Sequence, residues 1–314
     1  MTGVGELSRK LLTVMLLSIS ATSWAVDNSI YIDQTGDQST ITMTQDGSGN
    51  KVKGILLNGA LGANTDPTKL KGDQQTVTIE QTGATNVLTL GLNTTVGTTG
   101  KGIQLNYKVD VGGNTAFINS NNNGQGVSAG NLIDIIQLGG NAVTNVSMLG
   151  NTNSLTVRSS GGGGNKLDAT INADNVTAVV DQTLGGANET TLNLTGDRGY
   201  VDLTSTGAAN LSSVTQSGGG TNGNSVKIVL DGQGNQTTVS QSGVSDNTVD
   251  YKVLGSNNIA SIIQSGGLSA GQYAKVDISG SSNDIGITQQ GSVDNLANIK
   301  ITGSSSVYRI LQKN

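Results

Sequence analysis

The sequence predicts an all-β chain, a β-solenoid of stacked two-strand coils. A repeated line is the first reason. Asn235-Gln-Thr-Thr-Val-Ser-Gln241-Ser-Gly243, Asn258-Ile-Ala-Ser-Ile-Ile-Gln264-Ser-Gly266 and Asn283-Asp-Ile-Gly-Ile-Thr-Gln289-Gln-Gly291 share the form N-x-h-x-h-x-Q-x-G, with h apolar or small. Its Gln returns at positions 216, 241, 264, 289 and 312, a spacing of 23 or 25 residues that marks a solenoid. Strict alternation within each line is the second reason, because alternate side chains of a strand face opposite ways. Composition is the third: 46 glycines, 3% aromatic and 12% charged residues describe a thin, repetitive core rather than an ordinary globule. A hydrophobic share of 34% with a net charge of only −5 argues against disorder.

Taken in order, the chain opens with Arg9 and Lys10, an apolar run from Leu11 to Ala21, and Ser23-Trp-Ala25. A run of 11 residues is too short to span a bilayer, and small residues at positions 23 and 25 fit a cleavage site. Residues 1–25 are expected to be a secretory signal peptide and residues 26–314 the repeat domain, with no membrane insertion after cleavage. Asn28 to Gly36 and Ser39 to Gly47 are the first two lines. The stretch 58–73 holds the single proline, Pro67, which cannot donate to a ladder, so a loop insertion is expected there. A second is expected at 97–102. Gln75 to Gly83 and Asn131 to Gly139 restore the line, and residues 141–207 keep the strand rhythm with altered residue types. From Asn210 the lines are clean, alternating with a sister line such as Asn224-Ser-Val-Lys-Ile-Val-Leu230-Asp-Gly232. Glycine after each line permits the positive φ of a tight reversal. The last line, Ser306 to Gln312, is expected to be an uncapped edge.

One strand, a turn, the sister strand and a turn make a coil. Equivalent strands stack in parallel at about 4.8 Å, so roughly a dozen coils give a rod of order 60 Å. Asn235, Thr237, Val239 and Gln241 share the inner face. A buried amide without partners costs about 1–3 kcal/mol. Stacked copies of the same amide can satisfy one another, as in cross-β ladders. The candidate functional residues are therefore the ladder positions Asn28, Gln34, Ser39, Gln45, Gln81, Asn131, Gln137, Asn210, Gln216, Asn235, Gln241, Asn258, Gln264, Asn283, Gln289, Ser306 and Gln312.

Other chemistries find little support. The pI near 4.7 and scattered cations leave no nucleic-acid footprint. Cysteine and histidine are absent, removing disulfides, thiolate sites and the commonest general base. No calcium-binding repeat or loop is present, so neither metal nor cofactor is expected. Asp33, Glu80, Asp181 and Asp250 sit on the outer face of separate coils, unlike the paired carboxylates of a glycosidase, so no enzyme is expected. Threonine rows such as Thr40, Thr42 and Thr44 break on the sister strands, and the scattered tyrosines read as packing.

The lines resemble the curlin repeat, S-x5-Q-x-G-x2-N-x-A-x3-Q. Ser39-x5-Gln45-x-Gly47, Asn258-x5-Gln264-x-Gly266 and Ser306-x5-Gln312 are similar to its first half. The chain departs from it where the sister strand ends in Leu230, Val253, Ile278 or Ile301 instead of Gln. The resemblance implies a secreted subunit of functional amyloid at the cell surface, forming extracellular fibres for biofilm matrix and adhesion. It also implies an outer-membrane secretion pore and a nucleator as partners. The expected function is head-to-tail self-assembly through exposed end strands, because unpaired edges invite pairing and a heterologous end contact does not close. The alternative is a monomeric secreted adhesin that binds a surface glycan or protein.

Overall fold

The computed structural model describes residues 16–19 and most of residues 33–313. The exceptions in that span are stretches 36–39, 47–51, 53–67, 72–74, 95–103, 123–131, 219–223 and 267–271, and shorter pieces of the turns. The described residues form two parallel sheets and contain no helix. The first sheet has twelve strands: Leu16–Ile19, Thr40–Asp46, Thr76–Thr82, Gln104–Asp110, Leu132–Leu138, Thr152–Ser160, Asn175–Gly185, Arg198–Gly207, Ser225–Asp231, Thr248–Leu254, Tyr273–Ser279 and Leu296–Thr302. The second has nine: Asp33–Thr35, Thr68–Lys71, Leu88–Thr94, Ala116–Asn122, Val143–Leu149, Gly164–Asn172, Ala187–Thr195, Asn210–Ser217 and Thr237–Thr238. From Asp33–Thr35 to Thr248–Leu254 the chain alternates between the sheets strand by strand, each strand pairing with its equivalent in the next coil, and the last two strands, Tyr273–Ser279 and Leu296–Thr302, both extend the first sheet. This is the predicted β-solenoid.

Strict alternation makes the core. In Ser225–Asp231, Val226, Ile228 and Leu230 are buried while Lys227 and Asp231 face out. The same rhythm in Gly164–Asn172 buries Asn165, Leu167, Ala169 and Ile171. One continuous apolar cluster runs from Met43 to Ile287 between the sheets.

The turns after the sister lines are the tightest points. Gly232, Gly255, Gly280 and Gly303 stack on one another, and a Cβ at Gly255 would lie 1.8 Å from the Gly232 carbonyl oxygen. Gly255 also has φ of 134°, which disfavours any other residue. Three residues on, the Asn side chain closes the turn: Asn235 Nδ2 donates to Gly232 O (3.0 Å), and Asn258 Nδ2 to Gly255 O (2.8 Å).

Three features differ from the sequence-based expectation or add to it. Within the loop expected at 58–73, Thr68–Lys71 is a strand of the second sheet. It holds a single apolar residue, Leu70, too weak a signal in the sequence to reveal alternation. Pro67 and the excursion at 97–102 lie outside the described residues. Leu16–Ile19, inside the segment expected to be a signal peptide, pairs in parallel with residues 42–45 on the outer edge of the first sheet. Finally, the lines at 258–264, 283–289 and 306–312 continue the second sheet by stacking without a regular ladder. Their backbones join at Ala260 N to Asp284 O (3.2 Å), Ile285 N to Val307 O (3.1 Å) and Gly266 N to Gln290 O (2.7 Å). Ile287 and Gln289 have positive φ, which interrupts the extended geometry there.

Candidate functional site

The strand-end positions form one column in each sheet. In the first sheet the column reads Gln45, Gln81, Val109, Gln137, Ser159, Gln182, Ser205, Leu230, Val253, Ile278 and Ile301. In the second it reads Gln34, Leu70, Leu92, Ser120, Met148, Ile171, Leu194 and Gln216. Amide bonds carry that second column on through Gln241, Gln264, Gln289 and Gln312. The Gln lines are thus not all equivalent. Gln45, Gln81 and Gln137 belong to the first sheet, whereas Gln216 onward belong to the second. From Ile171 onward, an amide or hydroxyl at one strand end is matched by an aliphatic residue at the other: Gln182 with Ile171, Ser205 with Leu194, and Gln216, Gln241, Gln264 and Gln289 with Leu230, Val253, Ile278 and Ile301. The apolar wall shields the amides from water and leaves them to bond along the axis.

From Gln216 the ladder is continuous. Gln216 Nε2 donates to Gln241 Oε1 (2.9 Å), Gln241 to Gln264, Gln264 to Gln289 and Gln289 to Gln312, the last three at 2.7 Å. A second ladder starts the same lines. Ser306 Oγ donates to Asn283 Oδ1 (3.0 Å), Asn283 donates to Asn258, Asn258 to Asn235 (2.7 Å) and Asn235 to Asn210 (2.7 Å). The two ladders donate in opposite directions along the axis. A one-way ladder leaves one acceptor and one donor over. The buried Gln216 Oε1 is that acceptor, facing the coil where Leu194 stands.

The earlier coils satisfy their amides locally. Gln45 donates to Gln81 (2.8 Å), but the next column residue is Val109, and Gln81 Nε2 turns to the Tyr107 hydroxyl (3.0 Å). Burial holds the Tyr107 phenol well above its usual pKa. Thr144 donates its hydroxyl to Gln137 Oε1, and Thr190 to Gln182 Oε1 (2.9 Å), each across the core. Short Asn pairs occur as well: Asn114 to Asn86 (2.8 Å) and Asn165 to Asn188 (3.0 Å). Gln182 keeps the line's Gln without its Gly, and Tyr107, Thr144 and Thr190 carry no repeat signature. Reading the repeat alone does not find these partners. Of the other expected ladder positions, Asn28, Ser39 and Asn131 lie outside the described residues, and Gln34 is placed by register alone.

The C-terminal coil is open. Ala260, Ile262, Ile285 and Ile287 are buried to within 3%, yet Tyr308 and Ile310, at the equivalent inner positions of this coil, are 51% and 44% exposed. Leu296, Val307 and Leu311 are exposed beside them. The outer faces carry ion pairs between adjacent coils, including Lys108–Glu80, Lys166–Glu189, Lys227–Asp202 and Lys275–Asp250. Arg309 bonds to Asp284 and holds its carboxyl below the ordinary pKa. Among the described residues no group of three or more Asp, Glu, His or Cys could hold a metal ion. The arrangement is suited to axial stacking. No protein family, curated protein or solved structure matches the chain.

Proposed function

We propose that the chain is an exported structural subunit that stacks end to end into cross-β fibres. The supporting observation is the C-terminal coil, whose inner columns are open to solvent while the same columns are sealed one coil deeper. Gln312 Oε1 accepts from Gln289 Nε2 in the outermost described rung of the ladder. A following coil with Gln at the strand end would complete the row, and the first line offers Gln34. Amide ladders and apolar rows are the interactions that hold cross-β stacks. The likeness to curlin repeats supports an extracellular fibre in biofilm matrix and adhesion, helped by a nucleator and an outer-membrane pore.

The direct test is fibre diffraction of the processed chain recovered from culture medium. Fibres with a meridional repeat of about 4.8 Å are expected. A chain that stays monomeric at high concentration removes the polymer reading and leaves the secreted adhesin, bound through a loop or outer face.

A further inference from the structure

We propose that Leu16–Ile19 is a removable guard of the N-terminal edge of the first sheet. In the uncleaved chain it occupies the place that the last strand of a second copy takes after cleavage. The guard rests on the fibre reading and sets when growth is allowed.

The two ends of the first sheet are sealed to different degrees. Met43 and Ile299 stand at the two ends of one inner column, and Gln45 and Ile301 at the ends of the next. Met43 and Gln45 are each only 4% exposed, whereas Ile299 and Ile301 are half-buried. A terminal strand whose inner residues are sealed has a neighbour on its outer side. Among the described residues that neighbour is Leu16–Ile19, the outermost strand of the sheet. Ile41, one residue before the paired stretch, is only partly buried.

The guard follows the path of a coil. Leu16 pairs with Thr42, Leu17 with Met43, Ser18 with Thr44 and Ile19 with Gln45, all in parallel. The step of 26 residues from Leu16 to Thr42 lies between the 23 from Thr152 to Asn175 and the 36 from Thr40 to Thr76. On the way the chain adds Asp33–Thr35 to the second sheet, as the coils after it add theirs. The local sequence alternates too, with Leu17, Ile19 and Ala21 apolar and Ser18 and Ser20 polar between them.

Extending the columns by one coil identifies the competitor. A second copy stacked on this edge sets Asn298 against Thr42, Ile299 against Met43, Lys300 against Thr44 and Ile301 against Gln45. Leu17 and Ile19 thus hold the register positions of Ile299 and Ile301, an aliphatic residue in each case. The two strands exclude one another, because both use the same outward row of backbone N–H and C=O groups. The guard is a strand of 4 residues and its competitor one of 7. Tethering offsets that difference: a strand in the same chain acts at an effective concentration on the order of millimolar, above a second copy at about micromolar. Four paired residues hold only while tethered, so cutting the chain frees the edge. The cut is hydrolysis of the Ala25–Val26 peptide bond by a signal peptidase, with water leaving a carboxylate on Ala25 and an amine on Val26. Stacking at this edge is thereby held back until the export segment is removed.

The experiment is elongation of fibre seeds by the full chain before and after cleavage at Ala25. The uncleaved chain is expected to elongate seeds at least about tenfold more slowly than the cleaved one. Leu17→Pro with Ser18→Pro keeps the segment attached but removes two consecutive backbone donors from its strand. This uncleaved variant is expected to elongate within about twofold of the cleaved chain. In the soluble chain, hydrogen exchange at Thr42–Gln45 is expected to quicken at least about tenfold on cleavage, and by as much in the proline variant. An uncleaved natural chain that elongates as fast as the cleaved one overturns the guard and leaves the fibre reading intact. So does a proline variant as slow as the uncleaved natural chain, or exchange that cleavage does not change. Absence of any self-association in the cleaved chain overturns both.

Discussion

The coils before and after about residue 208 solve one problem in two ways. Both bury amides at strand ends. The earlier coils place them on the first sheet, singly or in a pair, and meet each with a local partner: Tyr107 for Gln81, Thr144 for Gln137, Thr190 for Gln182. The later coils place them on the second sheet in an unbroken run from Gln216 to Gln312. A local partner confines the cost of an irregular sequence to one coil. A shared ladder makes every rung depend on its neighbours, and it is the only one of the two that passes on to a further coil. The regular half is therefore the half suited to extension. Its regularity also repeats a strict demand on the turns, with closely stacked glycines at 232, 255, 280 and 303.

The largest expected effect tests that demand. Gly255→Ala would bring a Cβ to within 1.8 Å of the Gly232 carbonyl oxygen, at a φ of 134°. The clash is with backbone, so the coil itself must shift. A loss of about 3 kcal/mol or more is expected in denaturant unfolding. At Gly266, in the turn after the Gln line, such a Cβ would stand 3.4 Å from Gly243 O, and a smaller loss is expected. Equal losses would show that the stacked glycines of the sister line set no special limit.

Substituting one Gln in each half sharpens the contrast. Gln264→Leu removes the donor to the buried Gln289 Oε1 and the acceptor for Gln241 Nε2, and is expected to cost about 2–3 kcal/mol. Gln137→Leu leaves the Thr144 hydroxyl and loses a long contact of 3.5 Å to Val143 O, in a column between Val109 and Ser159, so about 1 kcal/mol is expected. Equal costs in denaturant unfolding would mean that the continuous ladder adds nothing beyond its separate bonds.

Period and alternation carried the fold in the sequence, and the buried positions Asn235, Thr237, Val239 and Gln241 follow the alternation from end to end. The change of sheet was written there too, in one interval. Gln182 and Gln216 are 34 residues apart, about a coil and a half, whereas later Gln residues are 23 or 25 apart. Half a coil is the distance from one sheet to the other. The local partners were not legible, because Tyr107 lies in its own column between Ile79 and Ile135 and reaches Gln81 only through three-dimensional packing. Thr144 and Thr190 likewise touch their amides across the core, 7 and 8 residues after Gln137 and Gln182, a spacing with no partner residue type repeated in the other lines to mark it.

The smallest effect concerns the two buried tyrosines, one in each half. Burial raises the phenol pKa of Tyr107 and of Tyr251 far above the ordinary value of about 10. Below pH about 10 both phenols are neutral in folded and unfolded chains, and the stability they support is fully present. Above it the unfolded chain loses the proton and the folded one keeps it, so stability falls as pH rises, by about 1.4 kcal/mol per pH unit for each tyrosine. Tyr107→Phe and Tyr251→Phe should each remove one such share of the alkaline slope. At neutral pH the halves should differ. Tyr107→Phe takes the acceptor from Gln81 Nε2, whose other contact, Val87 O, is at 3.4 Å, and is expected to cost about 1 kcal/mol. Tyr251→Phe leaves Thr237, whose hydroxyl already reaches Gln236 O at 2.6 Å, and is expected to cost less. Urea unfolding of both variants at pH 7 and pH 11 reads the two effects separately. A larger neutral-pH loss for Tyr251→Phe would place the more dependent phenol in the ladder half and reverse the assignment of local repair to the earlier coils.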